Sequence, residues 1–200
     1  TPRSARLAHM SADYDEKVVV FGLQGLTKFF LIDTFNDEFF KQPKAKVIKA
    51  YKRRMDNALG PNAVTTEHIE ALHDLGYLPL EIKALDEGSR VNIKVPVFTV
   101  RNTLPEFYWL TNYLETVLSN GTWGAMTVAT IASEYKKLLT KYAVKTGSPL
   151  DFVMWQGHDF AFRGLDPFAG LKQAGHLLSF FGTDTITAID ALEDYYNADS

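Results

Sequence analysis

A chain of 200 residues that is 46% hydrophobic can bury a core of its own, enough for one domain or somewhat more. Its net charge of −3 speaks against a nucleic-acid surface, and the absence of cysteine excludes disulfides and thiolate metal sites and fits the cytoplasm. No apolar run approaches the roughly 20 residues needed to cross a bilayer, and TPRSARLAH at the start has charge but no apolar stretch behind it, so it is no secretory signal.

The chain does not open on Met, and a longer polypeptide is expected around it. Residues 1–17 are polar and read as loop. From Val18, the positions Val19, Leu23, Leu26 and Phe30 recur at helical spacing, with Gly22 and Gly25 allowing a neighbour close. Pro43 stands where a helix start tolerates it, Val47, Ile48, Tyr51 and Met55 make the next stripe, and Gly60-Pro61 ends it. Thr65 can cap a short helix through Leu72, closed by Gly76. The period then changes to two. Leu80, Ile82 and Ala84 alternate with polar residues, as do Val91, Ile93, Val95 and Val97, which predicts two strands joined around Glu87-Gly88-Ser89, the second at an edge because of Pro96.

Thr103 and Glu106 have capping-box spacing, with Pro105 inside the first turn of a helix carrying Phe107, Leu110, Leu114 and Val117. Gly121–Gly124 marks a break before a long helix from about Thr127 to Tyr142, and Gly147-Ser148-Pro149 is the most linker-like punctuation. Residues 1–147 thus read as a helix-rich α+β domain. Residues 150–200 read as the first βα units of an α/β structure that needs more chain to close. In that second part, Asp151–Gln156 is the predicted strand, Phe168–Phe181 a helical segment, Gly182-Thr183-Asp184 the end of a second strand, and Ile186–Tyr196 a helix.

The polar residues of this last part carry the chemistry, because α/β folds hold ligands in the loops at strand carboxyl ends. Arg163, beside Phe162 and Gly164, is either a clamp for a phosphate or carboxylate or a surface arginine paired with Asp159 or Asp166. Phe160 can stack on a planar ring or fill a core. His158 and Asp159 are adjacent, and adjacent strand residues face opposite ways, so one faces the site and the other a structural partner. His176 reads as a buried or capping histidine. Asp184 is either the N-cap of the helix that follows or a carboxylate accepting a hydrogen bond from a ligand N–H. Arg3, Arg6 and Lys17 are either a basic arm or a solvated tail. No P-loop, GxGxxG, HExxH or GxSxG is present.

VVVFGLQGL, LPLEIKALDEGSRV, NTLPEFYWLTNYLETVL, GHDFAFRG and HLLSFFGTDT, in that order, resemble the nicotinamide phosphoribosyltransferase family. The resemblance covers nearly all 200 residues, with FGLQG and the HDFxxRG…GTDT pair its most specific parts. It implies a type II phosphoribosyltransferase, an α+β domain packed on an irregular α/β barrel. It also implies transfer of phosphoribose from 5-phosphoribosyl 1-diphosphate to nicotinamide, with Mg²⁺ on the diphosphate and ATP as an activating co-substrate. Carried over by position, Phe160 stacks on the nicotinamide ring, Arg163 binds the phosphate of the mononucleotide, and His158 lines the same tunnel. Asp184 accepts from the carboxamide nitrogen and would repel nicotinate's carboxylate. Arg3 reaches the phosphate in the other subunit's site, which implies a homodimer with shared active sites.

This chain departs from the family in length, matching only the N-terminal part. The segment before Thr1 and most of the barrel after Ser200 are expected elsewhere, and no catalytic residue falls within this segment. Asp166–Gln173 has no clear counterpart. Two other readings stand beside the leading one: a nicotinate phosphoribosyltransferase, and a short non-catalytic module for pyridine-nucleotide binding or dimerisation.

Overall fold

The computed structural model describes residues 13–165 and 169–199. It is a mixed helix-and-strand protein whose described residues divide into two compact units. One gathers the described residues within Thr1–Leu26, Lys83–Thr99 and Glu115–Ser200; the other holds Thr27–Ile82 and Val100–Leu114.

The first unit begins with strand β1 (Lys17–Val19). Val18, Val19, Val20 and Phe21 are all buried. A run buried on every side shows no two-residue alternation, which is why its apolar positions read as the start of a helix. The helix, α1 (Leu23–Leu26), starts only after Gly22, whose φ of 98° belongs to the left-handed region. A Cβ on Gly22 would stand 2.5 Å from that of Ala125, so the glycine does admit a close neighbour.

The two strands expected on either side of Glu87-Gly88-Ser89 do form, but they do not pair with each other. Strand β2 (Leu80–Ala84) pairs with β4 (Phe98–Asn102), and β3 (Arg90–Asn92) pairs antiparallel with β1, Val18 opposite Val91. The turn faces Val20: the Gly88 N–H donates to Val20 O (2.7 Å) and the Val20 N–H to Ser89 O (2.9 Å). Glu87 fastens the same region by accepting from the N–H groups of Gly22 (3.0 Å) and Gln24 (2.6 Å). Beyond Asn92, Lys94 takes a positive φ of 69° and Pro96 offers no donor, so the alternating run leaves its strand at Asn92 and the next strand, β4, starts only at Phe98.

Helix α4 (Leu110–Thr146) is continuous for 37 residues, through the glycines expected to break it. A Cβ on Gly121 would press on the Leu26 side chain, and one on Gly124 on Lys172. Each glycine costs about 1 kcal/mol in helix propensity, and the close packing offsets it. The core is correspondingly built of small residues: Ala125 and Ala129 of α4, Ala174, and Ala188 and Ala191 of α7 (Ile186–Tyr196) meet Val19 and Phe21. Phe21 stacks on Tyr196 with centroids 5.1 Å apart. Thr130, fully buried, accepts from the Val19 N–H (2.9 Å) and donates to Met126 O (2.6 Å).

In the second unit, α2 (Lys44–Leu59) follows Pro43 and ends at Gly60, as the sequence predicts. Helix α3 (Glu67–Leu75) is preceded by Thr66 rather than Thr65, and the Thr66 hydroxyl bonds the Glu70 carboxylate instead of capping the backbone. The capping box at Thr103 is not made either. Leu104 precedes a single 3₁₀ turn, Pro105–Phe107. Tyr51, His68, Trp109 and Tyr113 form an aromatic cluster joined by the Tyr51 hydroxyl, 3.1 Å from His68 Nε2 and 3.0 Å from the Tyr113 hydroxyl.

Among the described residues no helix is long and apolar enough to cross a membrane.

Candidate functional site

The site is assembled from the last fifty residues, all within the first unit. The run expected as a strand, Asp151–Gln156, instead contains a helical turn, α5 (Val153–Gln156). Strand β5 (His158–Asp159) starts after Gly157, and it pairs parallel with β6 (Gly182–Thr183). Between them lie a 3₁₀ turn (Ala161–Gly164), the helical turn α6 (Gly170–Gln173) and a second 3₁₀ turn (Ala174–Leu178). Phe168, expected to open the helical segment, lies outside the described residues. The strand–loop–helix–strand–helix order is as expected, with the first strand displaced and the expected helical segment broken into the short α6 and a 3₁₀ turn. A Cβ on Gly157 would run into the Phe180 ring, so that glycine is a packing requirement as well as a stop.

Register then fixes the site. The pair Asp159–Thr183 brings the residue after each strand to the same end, and the Asp184 N–H donates to Asp159 O at 2.9 Å. Phe160 and Asp184 leave their strands side by side. The 3₁₀ turn swings Arg163 back, and its Nη2 donates to Asp184 Oδ2 at 2.8 Å. The guanidinium carbon stands 5.2 Å from the centroid of the Phe160 ring, within cation–π range. His158 lies on the same side, its ring 4.6 Å from that of Phe160 and inclined by 32°. Three residues of one short stretch, His158, Phe160 and Arg163, therefore form one surface with Asp184, 21 positions beyond Arg163.

Asp184 is divided between two environments. Its Oδ2 holds Arg163, whereas Oδ1 is buried and has no partner among the described residues. Burying a carboxylate oxygen without a donor costs about 1–3 kcal/mol or more, so a further donor at this oxygen would be stabilising. Asp184 is not the cap of α7. That position belongs to Thr185, whose side chain makes no capping bond. Arg163 does pair with a carboxylate, but with Asp184 rather than Asp159; Asp166 lies outside the described residues.

Asp159 points elsewhere, to the Ala161 N–H (Oδ1, 3.0 Å) and the Thr185 hydroxyl (Oδ2, 3.1 Å). Neither Thr185 nor this tie was anticipated. A buried hydroxyl beside the site aspartate leaves no periodic trace, and only GTDT itself flags it. His176 supports β6 from behind, its Nε2 2.9 Å from Gly182 O. Burial pushes its imidazole below the ordinary value, although the carbonyl contact favours the charged form. Arg3 and Arg6 lie outside the described residues, and Lys17 is part of β1. Among the described residues no group of three or more His, Cys, Asp or Glu is placed to hold a metal ion.

Gly182 is set against His158: a Cβ there would meet the imidazole and stand 2.9 Å from Gly157 O. Gly182→Ala is expected to displace His158 and loosen the β5–β6 pair, lowering stability by about 1–3 kcal/mol. Chemical denaturation read at the midpoint checks it, and an unchanged midpoint would contradict this packing.

No family model matches the chain. Four relatives in sequence are named nicotinamide phosphoribosyltransferase. The protein of Acinetobacter baylyi is 62% identical over 200 residues, which is 99% of this chain and 40% of that protein. That of Mycoplasma genitalium is 36% identical over 118 residues (56% of this chain, 26% of that one). That of Xanthomonas campestris is 33% identical over 125 residues (61% and 26%). This chain thus spans about two fifths of the length of the first relative.

Proposed function

We propose that these 200 residues are the N-terminal portion of a nicotinamide phosphoribosyltransferase and supply the base-binding half of its pocket. The observation that carries this reading is the divided carboxylate of Asp184, one oxygen on Arg163 and the other buried without a donor beside an exposed aromatic ring. The 62% identity to a protein of that name supports it independently.

Each side chain has work that its position suits. Phe160 offers a ring face for the pyridine, with His158 against it. Asp184 Oδ1 accepts an N–H from the carboxamide. Nicotinate has no such donor, and its carboxylate would sit against a second negative charge. Arg163 has five N–H donors in a planar fork, and the contact to Asp184 engages Nη2, so the guanidinium retains capacity for a phosphate. In the reaction the bond from the ribose anomeric carbon to the diphosphate breaks and a bond to the pyridine nitrogen forms, giving nicotinamide mononucleotide for NAD salvage. These residues orient the base and hold the product's phosphate; the transfer itself needs groups outside this segment.

In the same reading, residues 1–147 are the α+β domain and 150–200 the first βα units of a type II barrel, the parallel β5–β6 pair being its beginning. Arg3 reaches the partner's site in a cytoplasmic homodimer. Mg²⁺ accompanies the diphosphate, with no described side chain assigned to hold it, and ATP acts as an activating co-substrate.

The test is turnover of the two bases side by side by the protein that carries these residues. Nicotinamide should be used at least 100-fold better, the order of discrimination a dedicated donor–acceptor contact provides. Equal or better use of nicotinate would refute the role of Asp184.

A further inference from the structure

Resting on the function proposed above, we propose that Asp159 and Thr185 are positioning residues that form a latch holding Asp184 at a fixed place relative to Phe160 and Arg163.

The geometry is of one residue tying both halves of the pocket together. The main-chain carbonyl of Asp159 accepts the Asp184 N–H. Its Oδ1 accepts the Ala161 N–H, which sets the turn carrying Arg163, and its Oδ2 accepts the Thr185 hydroxyl, next to Asp184. Thr185 is fully buried. It stands at the N-cap of α7, where a threonine hydroxyl ordinarily accepts a helix N–H, yet it makes no capping bond. The hydroxyl is used across the strands instead. Its own N–H is satisfied by the Thr183 hydroxyl at 3.0 Å. A sequence that gives up a cap for a bond to Asp159 gains nothing in local helix stability. What the bond does secure is the place of the residue before it.

That matters because the Asp184–Arg163 pair alone does not fix the carboxylate. Arg163 is 73% exposed, and an exposed pair is a weak restraint. Discrimination between a carboxamide and a carboxylate depends on where Asp184 Oδ1 stands, and a misplacement of about 1 Å can cost on the order of 100-fold.

The test uses the full protein and three variants. Thr185→Val keeps shape and burial but removes the hydroxyl, Thr185→Ser keeps the hydroxyl, and Asp159→Asn keeps shape but cannot accept both donors. Thr185→Val is expected to raise the KM for nicotinamide about tenfold and to narrow the nicotinamide-to-nicotinate ratio of kcat/KM. Thr185→Ser should restore both to within about twofold, and Asp159→Asn should also weaken binding of the mononucleotide, because it disturbs the Arg163 turn as well. The base ratio is the deciding readout, since loss of folded protein lowers both rates alike and leaves their ratio unchanged. An unchanged ratio in Thr185→Val, or Thr185→Ser behaving like Thr185→Val, would overturn the latch while leaving the function standing. Failure of the unaltered protein to use nicotinamide would overturn the function, and the latch with it.

Discussion

Replacing Asp184 by Asn or Ser should lower kcat/KM for nicotinamide by about 10- to 150-fold, the range of a hydrogen bond to a charged group worth about 1.5–3 kcal/mol. The same change should cost the fold little. The bond from Arg163 is the one stabilising contact the side chain makes among the described residues, and an exposed pair contributes no more than about 1 kcal/mol. Removing the charge also makes the buried, unpartnered position cheaper to bury, which offsets part of that loss. Steady-state kinetics beside thermal denaturation separates the two effects. A fall in activity matched by an equal fall in stability would make Asp184 a structural residue.

Arg163→Ala should weaken nicotinamide mononucleotide by a similar factor, about 10- to 150-fold, and free nicotinamide by no more than about threefold. The asymmetry follows from placement. The guanidinium lies over Phe160 and against Asp184, at the edge of the surface the base would cover, where a phosphate on the attached ribose can reach the fork. Arg163→Lys should recover only part of the affinity, because an ammonium supplies the charge without the planar pair of donors. Calorimetric titration with base and mononucleotide checks this. Equal weakening of both ligands would mean that Arg163 acts through Asp184 and not on phosphate.

Both expectations rest on residues that the sequence already singled out, and the reason is local. HDFAFRG and GTDT each carry their chemistry within a few positions, and the start of α7 at Ile186 is readable from periodicity. Pro43, Gly60 and Gly76 likewise punctuate helices by fixing or freeing φ, an effect any short window reveals. What could not be read depends on a distant partner. Gly121 and Gly124 look like a break until Leu26 and Lys172 are seen against them. Glu87-Gly88-Ser89 reads as the link between two strands, but that β1 takes β3 and the turn bonds Val20 shows only in the fold. Asp151–Gln156 looks like a strand because a helical turn of four residues is too short to show a period.

The same limit explains the unequal legibility of the site. The pairing of Arg163 with Asp184 spans 21 positions and the bond from Thr185 to Asp159 spans 26. Both follow from the parallel register of two short strands, which no local pattern encodes. By residue type Asp184 is a natural N-cap. The cap falls one position later, on Thr185.

The most direct measurement is a crystal structure of the full protein with nicotinamide mononucleotide bound. The carboxamide nitrogen should lie within about 3.2 Å of Asp184 Oδ1, with the pyridine on the Phe160 face and the phosphate on Arg163. A carboxamide bound away from Asp184, or Oδ1 occupied by a donor from the protein itself, would contradict the assignment of this surface as the nicotinamide pocket.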